Sequence, residues 1–137
     1  MRLVHHRDGG ARPPTADEAG TTDEEGNADG VERRVLADEV ELAEGPLAQA
    51  LGLMFRRSIP EGYALAFPFE APASRTIHTL FVFRPIDVLW LVDDEVVNVE
   101  RLRPFRGLAH GLADTVVELP AGDAAGVEPG GTVEIVA

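Results

Sequence analysis

The chain has 137 residues, 45% of them apolar, which is enough for one hydrophobic core and too little for two ordinary domains. It carries 24 acidic and 12 basic residues, a net charge of −12, and every basic residue is arginine. This acidic, lysine-free composition predicts a salt-adapted, halophilic protein, because molar salt shortens the Debye length to about 3 Å and lets carboxylates crowd. The same charge disfavours nucleic-acid binding, which needs a basic stripe.

Cysteine is absent, which excludes disulfides, thiolate metal sites and a cysteine nucleophile. The first residues, Met1 to Arg7, lack the apolar run of a secretory signal, and no later stretch approaches membrane-spanning length. We therefore expect a soluble, cytoplasmic protein that does not associate with a membrane.

Residues 8 to 30 differ sharply from the rest of the chain. They contain five glycines, two prolines and seven acidic residues, and nothing more apolar than alanine. Such a segment cannot bury enough surface to offset the entropy of ordering it. Because Arg2 to His6 and Val31 to Leu36 both have strand patterns, we predict a disordered acidic insertion between two paired strands of a single domain that spans residues 1–137.

The remaining elements are short and mostly extended. Helical spacing after Pro46 predicts a short helix that ends at Arg56 and Arg57. Ile86 to Val92 is apolar except at Asp87 and predicts a strand buried on both faces, followed by a hairpin turn at Asp93 and Asp94. Further strand patterns occupy residues 39–42, 63–69, 75–83, 95–102, 115–119 and 132–136, with a helical turn at 120–126. The fold class is thus mostly β (α+β), a compact β-barrel-like domain of about eight or nine short strands with two short helical turns.

Three ordered blocks of sequence resemble the family called domain of unknown function 192 (DUF192), in a haloarchaeal-type form. They are Gly52-Leu53-Met54-Phe55-Arg56, then Ile77-His78-Thr79 through Phe83-Arg84-Pro85-Ile86-Asp87-Val88-Leu89, and Glu118-Leu119-Pro120-Ala121-Gly122 followed by Gly126-Val127 and Gly130. The chain departs from the family pattern at His78-Thr79, where a Trp-Met-Lys-Asn-Thr form is common, and at Gly131, where an aspartate is usual. The resemblance implies a compact β-rich barrel and no particular activity.

Asp87 is the most informative single position, because a carboxylate in a strand buried on both faces must be paired or protonated. Our preferred interpretation is a structural anchor that accepts hydrogen bonds from backbone amides or from an arginine. The alternative is a small hydrolase-like enzyme in which Asp87 orients His78 as an acid–base pair. No nucleophile accompanies that pair, since Ser74, Thr76 and Thr79 are ordinary strand hydroxyls.

Arginine clusters are the best indication of a binding surface in so acidic a chain. Arg56 and Arg57 form one cluster, and Arg101, Arg103 and Arg106 form another. Their alternative role is to neutralise nearby carboxylates. The histidines, His5, His6, His78 and His110, lack metal-ligand spacing, so we expect no metal and no cofactor.

These observations predict a non-enzymatic binding or interaction module. Its candidate ligand-binding residues are Arg56, His78, Asp87 and Arg103, and its ligand is a small anion or a protein partner. We expect a monomer or weak homodimer that binds neither nucleic acid nor membrane.

Overall fold

The computed structural model describes residues 1–8, 31–44, 60–79 and 82–137. Over these ranges the protein is all-β, with eight strands: β1 (Arg2–Asp8), β2 (Val31–Ala37), β3 (Glu39–Leu42), β4 (Tyr63–His78), β5 (Ile86–Val92), β6 (Glu95–Leu102), β7 (Leu108–Pro120) and β8 (Thr132–Val136). The predicted helix after Pro46 and the predicted disordered insertion fall outside the described residues. No helix within the described ranges is long and apolar enough to cross a membrane.

The strands form one mixed sheet in the order β2-β1-β8-β6-β5-β7-β4-β3. Among the described strands β3 and β4 pair in parallel, and the other pairs are antiparallel. The predicted barrel is wrong in one respect, because the sheet does not close by pairing its edge strands β2 and β3. Asp38 alone links these two strands, and one residue is too short for the hairpin that would pair them.

The strands on either side of the acidic insertion pair as predicted. Asp8 lies opposite Val31, and the antiparallel ladder of β1 and β2 runs from there to Leu3 and Ala37. The insertion therefore leaves and re-enters the sheet at neighbouring positions. Closing a loop between two points this near costs entropy that grows only slowly with loop length, so a long insertion is tolerated here.

Strand β5 lies near the middle of the sheet and is buried on both faces, which confirms the sequence prediction. Its side chains alternate between two hydrophobic clusters, as the period of a strand requires. Leu89 and Leu91 belong to the first cluster, which also contains residues from β1, β2 and β8. Ile86, Val88 and Trp90 belong to the second, with residues from β4 and β7.

The ladder of β4 and β7 folds back over this second cluster. Its register is interrupted between Pro68 and Ala73, and the outer part of the ladder covers Trp90. The Trp90 indole donates to the carbonyl of Arg75 at 2.9 Å, and a Cβ on Gly111 would lie 2.8 Å from the indole ring. The two predicted strands at 63–69 and 75–83 are thus corrected to one bent strand that ends at His78.

Two turns complete the framework. The hairpin turn between β5 and β6 is at Asp93 and Asp94 as predicted, with φ of 49° and 66°. The predicted helical turn at 120–126 is instead a series of turns in which the amides of Asp123, Ala125 and Val127 each donate to the carbonyl three residues earlier. Gly122 and Gly126 have φ of 100° and 86°, and these left-handed conformations prevent a right-handed helix from continuing.

Candidate functional site

Asp87 is buried and makes three hydrogen bonds within the protein. The residue is 3% exposed, and it lies on the face of β5 that carries Leu89 and Leu91. Its Oδ1 accepts from Arg101 Nε at 2.9 Å, and its Oδ2 accepts from the amides of Gly122 and Ala124 at 2.8 and 3.1 Å. These are the contacts that the anchor interpretation requires. The carboxylate ties β5 to β6 and to the turns after β7.

Among the described residues, Arg101 is the arginine that donates to Asp87. The Arg101 side chain is 60% exposed, whereas that of Asp87 is 5% exposed. The hydrogen bond from Arg101 to Asp87, together with the charge of the carboxylate, raises the pKa of the guanidinium. Arg56 lies outside the described residues.

The structure does not bring His78 to Asp87. Strand β7 lies between β4 and β5 in the sheet, so the two strands that carry these residues do not pair. His78 is exposed and lies opposite Leu108, at the outer end of the bent ladder. The donors to the Asp87 carboxylate are the Arg101 side chain and two backbone amides, and His78 is not among them. The contact that the acid–base pair needs is therefore not formed.

Thr79 connects two of the predicted site residues. It follows His78 in the chain and binds the backbone of Arg103. Thr79 is fully buried, and its hydroxyl donates to the carbonyl of Arg103 and accepts from the amide of Gly107, both at 2.6 Å. Its own carbonyl accepts from Phe105 at 2.9 Å and from Val82 at 3.0 Å. Thr79 thus holds the loop before β5 against the loop before β7.

Phe105 has a backbone conformation that a bulky side chain rarely adopts. The Arg106 amide donates to the Pro104 carbonyl at 2.8 Å, and Phe105 between them has a φ of 63°. This is the positive-φ form of the γ-turn, which is rare and strained, and a bulky side chain makes it more so. The surrounding hydrogen bonds from Thr79 and Gly107 impose the conformation.

The strained turn presents an aromatic side chain to solvent. Phe105 is 48% exposed and packs edge to face against Phe83, itself 40% exposed, with ring centroids 5.3 Å apart. Arg103 and Arg106 on either side of Phe105 are exposed, and among the described residues neither guanidinium makes an ion pair or hydrogen bond. We call these four residues, Phe83, Arg103, Phe105 and Arg106, the Phe–Arg surface.

The sequence identified the arginines of this surface but missed its framework. Thr79 looked like an ordinary strand hydroxyl, and no propensity favours a phenylalanine at positive φ. Gly107 is the signal that was present: a Cβ there would lie 2.7 Å from the Thr79 hydroxyl and 2.6 Å from Leu102. A glycine two residues after Phe105 therefore marks the close approach of the two loops.

A second group of charges surrounds the hairpin turn between β5 and β6. Partial burial raises the pKa of Asp94, and the charges of Glu134, Asp114 and Asp93 raise it further. Asp114 accepts a hydrogen bond from the Asp93 amide at 2.9 Å. Within the described part of the chain, no three His, Asp or Glu side chains are arranged to hold a metal ion.

Fold and site together define a small all-β domain with an internal carboxylate anchor and an exposed aromatic and arginine surface. Residues 27–135 match the model of the DUF192 family, described as an uncharacterized ACR. The chain therefore belongs to the DUF192 family, as the three sequence blocks indicated.

Relatives of similar length support this assignment. A UPF0127 protein of Pyrococcus abyssi (strain GE5 / Orsay) is 39% identical over 88 residues, which are 61% of this chain and 73% of the relative. A UPF0127 protein of Pyrococcus furiosus is 36% identical over 102 residues, 70% of this chain and 85% of the relative. Neither relative bears on the haloarchaeal subtype or on salt adaptation, which stay predictions.

Two solved structures share the fold. A protein of unknown function from Novosphingobium aromaticivorans DSM 12444 has a TM-score of 0.68 at 22% identity, over 98% of this chain and 84% of that one. A candidate transcription regulator from Sinorhizobium meliloti 1021 has a TM-score of 0.66 at 21% identity, over 97% and 92% of the two chains. At these identities the likeness concerns the fold alone.

Proposed function

We propose that the protein is a non-enzymatic interaction domain whose Phe–Arg surface binds an acidic segment of a protein partner. The observation that supports this most is the γ-turn at Phe105. A bulky residue at positive φ costs about 1–3 kcal/mol and persists only where the surrounding structure imposes it. Here the strained turn does not place the Phe105 ring in the core but leaves it about half exposed beside Phe83.

The composition of the surface suits a protein partner. Aromatic side chains and arginine are enriched at the centres of protein interfaces and dominate their binding energy. The two rings offer apolar area, and the two guanidinium groups offer charge-assisted hydrogen bonds to carboxylates. A small anion would use only the charge, whereas a chain segment with apolar and acidic side chains would use both.

The contrast between the acidic chain and its two exposed arginines would orient an acidic partner as it approaches. The chain as a whole carries −12, so an acidic partner is repelled from most of its surface. Arg103 and Arg106 are exposed and not used in ion pairs within the described residues, unlike Arg101. A local basic patch on an acidic protein favours one orientation of an acidic ligand over others.

The test is a titration of the full chain against a fluorescently labelled peptide of alternating aspartate and leucine, followed by fluorescence anisotropy. We expect saturable binding that the double variant Arg103→Ala/Arg106→Ala weakens at least about tenfold, which is 1.4 kcal/mol. The matched control is Arg33→Ala, because Arg33 is exposed on the edge strand β2.

Two results would overturn the proposal. One is equal weakening by the Arg33 control, which would mean general attraction of an acidic peptide to arginine. The other is tighter binding of a single-stranded oligonucleotide than of the peptide, since aromatic and arginine side chains also stack on bases. The second result would move the assignment to nucleic acid, in line with the description of the Sinorhizobium meliloti protein.

A further inference from the structure

A cavity of about 390 Å³ lies at the other end of β5 and β6 from the Phe–Arg surface. Its lining residues come from β1 and from the loop that leads into β8: His5, His6, Gly126, Glu128, Pro129, Gly130 and Gly131. The volume falls within the range of small-molecule sites, which is about 300–1,000 Å³. No residue of the Phe–Arg surface takes part in it.

The loop side of this cavity is fixed by backbone hydrogen bonds. The Gly130 amide donates to the Val96 carbonyl, and the Val96 amide donates to the Gly131 carbonyl, both at 2.8 Å. Gly130 has a φ of 93°, a conformation that glycine adopts without cost. The loop is thus held on β6 in one position, and the cavity is formed before any ligand arrives.

Gly131 keeps the space beside His5 open. A Cβ at this position would lie 3.5 Å from Nε2 of His5 and 3.2 Å from the carbonyl oxygen of Glu128. Any longer side chain would therefore begin inside the space between the buried imidazole and the loop.

The carboxylates nearest the cavity are those of Glu128 and Glu134, and at its other side the Arg34 guanidinium donates to the Ala125 carbonyl beside Gly126. Glu128 is exposed at its rim, and Glu134 holds His6 through a contact of 2.6 Å between Oε1 and Nε2. No arginine is among the lining residues. Carboxylates and imidazoles accept hydrogen bonds from ammonium groups, and the ring of Pro129 offers apolar surface to a short carbon chain.

We propose that this cavity binds a small organic amine. The ammonium group lies against Glu128 and against His6, whose Nε2 contacts Glu134, and the carbon chain passes over Pro129 into the space that Gly131 leaves open. A bare metal ion does not fit the observations, since the described residues offer no group of three metal ligands here.

Isothermal titration calorimetry of the full chain with cadaverine and spermidine tests this proposal, with pentanediol as an uncharged control of matched length. We expect one saturable site for the amines and no heat from the diol. Glu128→Gln removes the rim charge and should weaken amine binding about fivefold, the upper end for an exposed ion pair. Gly131→Val fills the space and should abolish it, with thermal unfolding confirming that the variant is folded.

Glu100→Gln is the matched control, because Glu100 is an exposed carboxylate on β6 outside the cavity. Equal weakening by Glu100→Gln would overturn the proposal, because the amines would then only be attracted to an acidic surface. Absence of amine binding, or tighter binding of Zn²⁺ alone, would overturn it as well. Because the cavity and the Phe–Arg surface share no residue, the acidic-peptide titration is independent of this outcome.

Discussion

Arg101 and Arg103 are two residues apart and belong to two different kinds of site. Arg101 donates to a buried carboxylate, and the backbone amides of Gly122 and Ala124 complete that carboxylate's contacts. Arg103 gives only its carbonyl to the fold, through the Thr79 hydroxyl, and its guanidinium stays in solvent. In the Asp87 anchor the hydrogen bonds stabilise the domain. At the Phe–Arg surface they impose strain and leave rings and charges available to a partner.

The largest expected effect of a substitution is at the anchor. Asp87→Asn replaces one acceptor oxygen by an amide donor that faces the backbone amides of Gly122 and Ala124 or the Arg101 side chain. Leaving such buried groups without an acceptor costs about 1–3 kcal/mol each, so we expect a loss of about 3 kcal/mol in the free energy of unfolding, measured by urea denaturation. Arg101→Ala should cost far less, because water can reach the exposed side of the pair. A loss under about 1 kcal/mol for Asp87→Asn would mean that the Asp87 anchor does not stabilise the domain, and the contrast with the Phe–Arg surface would fail.

The next largest effect should come from the buried hydroxyl of Thr79. Thr79→Val keeps the shape of the side chain but leaves the Gly107 amide and the Arg103 carbonyl without their partner. We expect a loss of about 1–3 kcal/mol in thermal or urea unfolding. The same change in Thr76, which is exposed on β4, is the matched control and should be close to neutral. If both variants lose the same stability, Thr79 does not hold the loops together.

A substitution of Phe105, unlike those of Asp87 and Thr79, should not lower the free energy of unfolding appreciably. Phe105→Asn relieves about 1–3 kcal/mol of backbone strain and removes an edge-to-face contact with Phe83 that is worth about 0.5–1.5 kcal/mol. The free energy of unfolding should therefore change by between about −0.5 and +2.5 kcal/mol, a gain over most of that range, while binding of the acidic peptide weakens. Calorimetric melting temperatures and peptide anisotropy on one preparation measure both. A marked loss of stability would show that the ring serves the fold instead.

The smallest effect concerns Asp94 in the hairpin turn. Its pKa is raised by burial and by neighbouring carboxylates, so the folded protein holds this proton more tightly than the unfolded chain. The bound proton therefore adds to the free energy of unfolding at low pH. This added stability is lost as pH rises from the ordinary aspartate pKa through the raised pKa of Asp94. Asp94→Asn should therefore stabilise the protein at neutral pH by about 0.5 kcal/mol, discounted for solvent exposure, with no gain well below pH 3.8.

Salt should reduce this last difference. Molar potassium chloride screens the carboxylates around Asp94, so the gain from Asp94→Asn should shrink as salt is added. The same series tests the salt adaptation that the composition predicts, since stability of the unmodified chain should rise towards molar salt. A gain that does not change with salt would point to backbone preference at this turn and not to charge.

The sequence predicted the structure correctly where the pattern within one strand and its turn is sufficient. The apolar run around Asp87 predicted burial on both faces and a paired carboxylate, and Asp93-Asp94 predicted the hairpin. It was uninformative where distant segments meet. The fold-back of β4 and β7 over Trp90 depends on the interruption between Pro68 and Ala73. Pro68 and Pro72 mark a break in the ladder there but do not show how far the strand bends, and the bend decides where His78 lies. The conformation of Phe105 depends on Thr79 and Gly107, which contact it only after both loops are in place.

Chemical-shift mapping locates the proposed interface most directly. The labelled full chain is titrated with the peptide of aspartate and leucine, and amide shifts are followed. The account predicts that the largest changes fall on the amides of Phe83, Arg103, Phe105, Arg106 and Gly107, while those of Gly122 and Ala124 at the Asp87 anchor stay in place. Changes concentrated at the anchor, or spread evenly over the arginines of β2 and the Phe–Arg surface, would contradict it.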